Sequence, residues 1–499
     1  MSDAWSRLVP RLVELKDLSS AISLLNWDHA VMMPPNGAGP RARALATLES
    51  IGHDRLTDPE IGRLLEELEG AEDLDEDQRA SVRVLKRDYE KATKVPRDLV
   101  KALAEAQGKG YQAWTQAKPA DDFSIFEPHL RRVVELKREE ADALGWEEER
   151  YDALLDQFEP GMTAAEVRES FAKLVEGLEP LIDSVLGKAG HRPDWLVHEY
   201  DPQRQMAFCN WLVAHLGYDT DSGRLDSSPH PFTIQVSLGD VRQTTRADAD
   251  NLLASVYAAI HETGHALYEQ GLPPELADLP SGRTPSLGIH ESQSRLWENQ
   301  VGRSEAFSSF LLPQLKEHFP QELGMVSPAE FYRGVNHPHR TMIRVTADEL
   351  TYNLHVVMRF ELETAMFADE LDVADLPQAW NETFEKHLGI RPKRMSDGVL
   401  QDMHWSMGAL GYFPTYTLGT MYAGAFFQKA AEEIGDLNAA MRNGETRELL
   451  EWLREKIHRH AYRYEAKDLA QRVTGEPVSA DPLLDYLREK YTSLYDVTV

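Results

Sequence analysis

Two histidines and a glutamate stand close together in the run 261–265, which reads His-Glu-Thr-Gly-His. Residues four apart lie on one face of a helix, so the imidazoles of His261 and His265 can bind one metal ion together. Glu262 projects beside that ion, where it can take a proton from a water molecule that the metal activates. The run therefore predicts the metal site of a zinc-type metallopeptidase.

The alternative is that these are two structural histidines that share a helix by chance. With 18 His in 499 residues, random order gives about 0.05 such runs per chain. Gly264 argues against chance, because glycine costs a helix interior about 1 kcal/mol relative to alanine. A glycine at this place predicts close approach of another element.

A catalytic zinc usually has three protein ligands and one open position. Glu291 is the best candidate for the third ligand. Glu298 lies seven residues further along the same helical face and can accept a hydrogen bond from a ligand histidine. The alternative for Glu298 is a solvated helix carboxylate. His290 adjoins Glu291 but points elsewhere on a helix, so we exclude it from the ligands.

The elements around this run are predicted to be mostly helical. Asp248 or Asp250 is the expected N-cap of the metal-binding helix, which ends near 271–273. Before it, residues 233–238 alternate polar with apolar, a turn follows at 239–240, and 241–245 can return as a second strand. Amphipathic helical periodicity marks 4–25, 41–51, 76–93, 97–115, 127–143, 163–187 and 202–216.

Length alone suggests about three domains, but no long Gly/Ser-rich or Pro-rich linker divides the chain. We therefore expect one mainly α domain over 1–499, with a small β-hairpin or sheet beside the metal-binding helix.

Composition excludes several classes of function. The net charge is −30 and no Lys/Arg cluster interrupts it, whereas a nucleic-acid backbone requires a positive face. No run of about 18 apolar residues predicts a membrane span, and no leader-like pattern opens the chain. Cys209 is the single cysteine, so no intrachain disulfide can form. A cytoplasmic location, without nucleic acid or membrane as partner, is expected.

Six motifs in order resemble the carboxypeptidase Taq family of metallocarboxypeptidases. They occupy 240–244, 261–265, 290–293, 343–348, 398–405 and 411–416, with Thr415 where serine is expected. The 26-residue step from His265 to Glu291 is the one the family uses for its third ligand. The resemblance covers most of the chain.

The resemblance implies a saddle-like helical molecule with a deep substrate groove, related in fold to angiotensin-converting enzyme and neurolysin. It further implies a homodimer that removes single C-terminal residues from short peptides with broad preference. Zinc is the implied metal, with cobalt as a possible substitute.

The same motifs supply candidates that stabilise the reaction. His404, Tyr412 and Tyr416 can donate a hydrogen bond to the oxyanion of the tetrahedral intermediate. Tyrosine suits this role because its phenol donates without carrying charge, and two tyrosines four apart can share a helical face. Packing of these rings in a core beside Trp405 and Phe413 is the alternative.

A carboxypeptidase must also bind a free carboxylate, which a guanidinium fork does well. Arg344 is the first candidate, oriented by Asp348, unless the two form a plain intrahelical salt bridge. Arg242 is the second candidate, or it closes one end of the groove. Asp240 and Thr244 then brace the site.

Two rival functions remain open from the sequence. An oligo-endopeptidase would use the same metal chemistry in a groove open at both ends. A non-catalytic helical scaffold would bind peptides, with the histidines structural or binding metal without turnover.

Overall fold

The computed structural model describes residues 3–498, which are mainly helical. The helices are α1 (Asp3–Val31), α2 (Ala38–Leu56), α3 (Pro59–Glu69), α4 (Glu76–Lys94), α5 (Arg97–Ala120), α6 (Glu127–Leu144), α7 (Asp152–Leu155), α8 (Ala164–Ala189), α9 (Pro202–His215), α10 (Leu252–Gln270), α11 (Leu287–Arg295), α12 (Glu305–His318), α13 (Pro320–Leu323), α14 (Pro328–Val335), α15 (Tyr352–Phe367), α16 (Leu376–Leu388), α17 (Pro414–Ile434), α18 (Leu437–Arg442), α19 (Arg447–Lys456), α20 (Ala466–Thr474) and α21 (Asp481–Tyr495). The predicted fold class is confirmed.

Each helical segment predicted from periodicity corresponds to a helix of the structure. A capping box opens α8, because the hydroxyl of Thr163 accepts from the backbone N–H of Glu166 and the carboxylate of Glu166 accepts from the backbone N–H of Thr163. Helix α3 was not predicted, although Asp58 caps it and its leucines face inward. Among the described residues, no helix is both long enough and apolar enough to span a membrane.

Most buried apolar side chains of the described residues belong to two clusters. A large core runs from Leu99 in α5 to Tyr495 in α21. A smaller one joins α1, α3 and α4, between Ala4 and Leu85. Leu279 packs against both clusters, so the N-terminal helices are attached to the main body by apolar contact.

The small sheet has three strands in the order β1 (Gly223–Ser227), β3 (Asp240–Thr245), β2 (Thr233–Ser237). Strands β2 and β3 form the predicted antiparallel hairpin. Strand β1 pairs with β3 in parallel and was missed, because its sequence carries a single large apolar residue, Leu225. The hairpin is therefore part of a sheet, with β2 at an edge.

The metal-binding helix is α10. Its N-cap is Asn251, whose side chain accepts from the backbone N–H of Ala254 at 3.2 Å. The prediction of Asp248 or Asp250 as the cap is wrong, because the chain makes a short bridge between 248 and 251 before the first helical turn. The helix ends at Gln270, as expected from the glycine and proline that follow.

Candidate metal centre and active site

Three side chains meet at one point between α10 and α11. Ligand atoms of His261, His265 and Glu291 all lie within 4.8 Å of one another. The Nε2 atoms of the two histidines are 3.6 and 3.4 Å from the same oxygen, Oε2 of Glu291. The structure thus brings together the three residues that the sequence singled out as metal ligands.

This arrangement fits a zinc-like ion. Ligand bonds of about 2.0 to 2.2 Å in a tetrahedron place neighbouring donor atoms about 3.4 Å apart, close to the separations found. Two imidazole nitrogens and a carboxylate oxygen are also donors that such an ion accepts. Burial lowers the pKa of His265 to about 3, which leaves its ring neutral and its nitrogen able to ligate.

Glu298 lies behind His261. Its Oε2 is 2.9 Å from Nδ1 of His261. A carboxylate at Nδ1 holds the proton there and leaves the lone pair of Nε2 facing Glu291. Arg303 donates to the other oxygen of Glu298 at 3.1 Å. Glu298 can therefore orient the ring of His261. It lies in a segment that is π-helical from Leu296 to Gly302.

Arg295 connects the two glutamates. Its Nε donates to Oε1 of Glu291 at 2.6 Å and its Nη1 to Oε2 of Glu298 at 3.3 Å. Burial is the largest single influence and would raise the pKa of Glu291, but Arg295 and the two neighbouring histidines together outweigh burial and hold that pKa well below its usual range. Glu291 is therefore ionised, with Oε2 left facing the histidines.

Gly264 explains how the two helices come close enough. A Cβ at this position would lie 2.6 Å from the carbonyl oxygen of Gln293 and 2.6 Å from Cα of Ser294. Helix α11 thus crosses α10 against the bare backbone of Gly264, which directly precedes His265. The close approach predicted from this glycine is confirmed.

Gly264→Ala is expected to lower stability and metal retention together. Overlap with backbone atoms cannot be relieved by a rotamer change, so α11 must move, at a cost of about 1 to 3 kcal/mol. That movement carries Glu291 away from the histidines. The midpoint temperature of unfolding and the metal content after dialysis measure both effects.

Gly187→Ala is the matched control. Gly187 also lies inside a helix, α8, but a Cβ at this position would meet no atom within 4 Å. The substitution should leave stability unchanged or raise it by up to about 1 kcal/mol. Equal behaviour of the two variants would contradict the packing argument.

Glu262 is buried, directly follows His261 in the chain, and does not belong to the cluster of three. Its Oε2 accepts from the hydroxyl of Thr233 on the edge strand β2 at 2.7 Å. Burial is the main cause that raises the pKa of Glu262 above its ordinary value. A carboxylate with a raised pKa is a stronger base, which suits proton transfer near neutral pH.

The candidate oxyanion donors lie close to one another. Nε2 of His404 is 3.3 Å from the hydroxyl of Tyr416, and the rings of Tyr412 and Tyr416 have centroids 5.3 Å apart. Burial first, and then the charge of Glu291, raise the pKa of Tyr412, so its phenol keeps its proton. The expectation that both tyrosines share a helical face is wrong, because Tyr412 precedes α17, which begins at Pro414.

Arg344 is buried in a short 3₁₀ turn rather than in a helix. Its Nε and Nη2 donate to Oδ1 of Asp402 at 3.2 and 3.0 Å, and its Nη1 to the hydroxyl of Tyr352 at 3.0 Å. Its guanidinium lies 4.9 Å from the ring centre of Tyr416. The expected support by Asp348 is wrong, because Asp348 caps the following turn by accepting from Leu350 and Thr351.

The three residues predicted on the hairpin lie on β3. Arg242 makes a two-bond pair with Asp240, at 2.7 Å for each bond, and stacks 4.5 Å from the ring centre of Trp27 in α1. Thr244 is buried, and its hydroxyl lies 2.7 Å from that of Ser228 and accepts from the N–H of Phe232. Thr244 thus holds the loop between β1 and β2, while Arg242 joins the sheet to α1.

Several residues around the site were not predicted. Arg295 could have been found, since it stands four residues after Glu291 and three before Glu298. Thr233 and Asp402 act over long sequence distances and leave no local signal. His290, excluded from the ligands, stacks on His265 with ring centres 4.2 Å apart and lies 2.9 Å from Glu269.

Comparison with known proteins shows to which family the chain belongs. The family described as carboxypeptidase Taq (M32) metallopeptidase matches residues 8–491. Thermostable carboxypeptidase 1 of Thermus thermophilus is 45% identical, and the match covers 99% of both chains. Carboxypeptidase 1 of Bacillus subtilis is 37% identical, with 97% of both chains covered.

Solved structures have the same fold. The crystal structure of an M32 carboxypeptidase from Deinococcus radiodurans R1 superposes with a TM-score of 0.97 at 39% identity, covering 99% of this chain and 100% of that chain. Metallocarboxypeptidase 1 of Trypanosoma cruzi gives a TM-score of 0.94 at 33% identity, covering 98% and 99%. The chain belongs to the carboxypeptidase Taq (M32) family and is a metallocarboxypeptidase.

Proposed function

We propose that His261, His265 and Glu291 bind one divalent ion, zinc with cobalt as a possible substitute, and that the chain uses it to release C-terminal residues from short peptides with broad preference. The observation that carries this proposal is the cluster of three ligand atoms within 4.8 Å of one another, with Glu262 beside it. Glu298 has the orienting role, since it is 2.9 Å from Nδ1 of His261.

When bound, a divalent ion polarises the scissile carbonyl and makes water a nucleophile near neutral pH. Glu262 accepts the proton of the attacking water and passes it to the leaving amine. The hydroxyl of Thr233 holds one carboxylate oxygen of Glu262. The other carboxylate oxygen of Glu262 is then the one that accepts the proton of the water molecule.

His404, Tyr412 and Tyr416 supply neutral donors to the oxyanion. Burial lowers the pKa of His404 to about 4, with the positive charge of Arg344 as the next cause. The ring is therefore uncharged at neutral pH, like the two phenols. Neutral donors stabilise the developing charge without binding a charged ground state too tightly.

Arg344 binds the free carboxylate of the substrate. A guanidinium has five N–H groups, and contacts with Asp402 and Tyr352 occupy three of them within the described part of the chain. One hydrogen on each of Nη1 and Nη2 is left, which is the pair that grips a carboxylate in two bonds. Asp402 holds the guanidinium in place.

Arg242 is the second candidate for contact with substrate, or it closes one end of the groove. Its two bonds to Asp240 and its stacking on Trp27 support the second role more than the first. Thr244 and Asp240 brace the sheet. Assembly as a homodimer and a cytoplasmic location remain predictions from the sequence.

A matched pair of peptides tests the proposal. One peptide has a free C-terminal carboxylate and the other has the same sequence with a C-terminal amide. After incubation with metal-loaded protein, mass spectrometry should show a ladder of single-residue losses for the free peptide and, over the same time, at most a trace of loss for the amide. Internal cleavage of both peptides would indicate an oligo-endopeptidase, and absence of any product would indicate a binding scaffold.

A further inference from the structure

Glu363 in α15 is a buried carboxylate with no assigned role in the reaction. It is fully buried, and no Lys or Arg within the described residues lies at ion-pair distance from it. An unpaired buried carboxylate is costly unless hydrogen bonds satisfy it. The presence of a carboxylate at position 363 therefore requires an explanation.

Three donors satisfy this carboxylate. Nε1 of Trp405 donates to Oε1 at 2.6 Å. The hydroxyl of Tyr151 and the backbone N–H of Gly411 both donate to Oε2, at 2.6 and 3.0 Å. The ionised form accepts all three bonds at once, which a protonated acid or an amide does less well.

Two of these donors adjoin the candidate oxyanion donors. Trp405 directly follows His404, and Gly411 directly precedes Tyr412. One carboxylate therefore holds the segment 404–412 at both ends. His404 and Tyr412, the candidate oxyanion donors, therefore each lie one residue away from a position that Glu363 holds by a hydrogen bond.

Close packing fixes the same segment at Gly411. This residue has a φ of +90°, and a Cβ on it would lie 2.7 Å from the carbonyl carbon of Leu154 in α7. The backbone at Gly411 is thus pressed against α7, next to Tyr151. The N–H of Gly411 has no freedom to turn away from Glu363 without displacing the segment.

We infer that Glu363 is a positioning residue for the reaction, which sets the places of His404 and Tyr412 through Trp405 and Gly411. The inference rests on the roles proposed above for His404 and Tyr412. It adds a residue that touches neither substrate nor metal but determines where the oxyanion donors stand.

Glu159 provides a matched comparison. It is also fully buried, and it accepts from the N–H of Gly288 at 2.9 Å and from the hydroxyl of Tyr422 at 3.0 Å. Its partners lie on α11 and α17, outside the segment 404–412. Loss of this carboxylate should therefore not be coupled to His404.

The test is a double-mutant cycle on the metal-loaded full chain. Glu363→Gln is measured alone and together with His404→Gln, and Glu159→Gln is measured in the same two backgrounds. The readouts are kcat and KM for a short peptide with a free carboxylate, bound metal, and the midpoint temperature of unfolding.

Glu363→Gln should lower kcat about 10- to 30-fold with KM changed less than about threefold and bound metal unchanged. In the His404→Gln background its further effect should shrink to less than about threefold, while the effect of Glu159→Gln should be the same in both backgrounds. If Glu363→Gln does not fold, Trp405→Phe removes one of the three bonds and should lower kcat about threefold or more.

Unchanged kcat in Glu363→Gln, or an equal loss in both backgrounds, overturns the inference. His404→Gln and Tyr412→Phe by themselves test the roles on which it rests. If both retain parental kcat, the proposed oxyanion donors are wrong; if they lose activity while Glu363→Gln does not, only the positioning role of Glu363 fails.

Discussion

Glu262→Gln is expected to lower kcat by about 10³- to 10⁴-fold while leaving metal content and folding unchanged. Glutamine keeps the shape and the hydrogen bond from Thr233 but cannot accept a proton. The ligand atoms belong to His261, His265 and Glu291, so the ion should stay bound. Steady-state kinetics with elemental analysis of the same sample measures both quantities.

Glu275→Gln is the control for that variant. Glu275 is an exposed carboxylate shortly after α10 and takes no part in the site, so its replacement should leave kcat unchanged. Retention of even a tenth of parental kcat by Glu262→Gln would show that another group is the base.

Arg344→Gln is expected to lower kcat/KM for peptides with a free carboxylate by about 100-fold. The substitution removes the two charge-assisted hydrogen bonds from Arg344 to the substrate carboxylate. An amidated peptide has no carboxylate and does not form this pair of bonds even with the parental chain. The ratio of rates for free and amidated peptides should therefore fall toward one. Competition between the two peptides in one reaction gives this ratio directly.

Arg359→Gln is the matched control for Arg344. Arg359 is also buried and donates to the same carboxylate, with its Nε and Nη2 at 2.8 and 2.5 Å from Oδ2 of Asp402. Its Nη1 donates to the carbonyl of His355. Removal should cost stability, because Asp402 loses one of two cations, but should preserve discrimination against the amide. Equal loss of discrimination in both variants would contradict a specific role of Arg344.

The metal side of the site could be predicted from sequence because its signals are local. The spacing of His261 and His265 is one helical turn, and Gly264 between them marks the crossing of α11. Glu291 and Glu298 lie only seven residues apart in the sequence. The 3.6-residue repeat accounts for the pairing of the two histidines. The step to Glu291 is instead a feature of the family motifs, and Glu298 lies in the π-helical segment, which this repeat does not describe.

On the substrate-binding side of the site, the sequence predicts which residues take part but not which contacts they make. Arg344 was placed on a helix with Asp348, whereas its partner is Asp402, 58 residues away. Tyr412 was placed on a helix that begins after it. Glu363 reaches across to Tyr151 over 212 residues. Such contacts follow from how the helices pack, and helix packing leaves no periodic signal in the chain.

The most direct test of the central claim is an anomalous difference map from a crystal of the zinc-loaded protein, recorded at the zinc absorption edge. A single peak is expected about 2.0 to 2.2 Å from Nε2 of His261, Nε2 of His265 and Oε2 of Glu291. A peak with other protein ligands, or zinc-dependent activity with no peak between these three atoms, would contradict it.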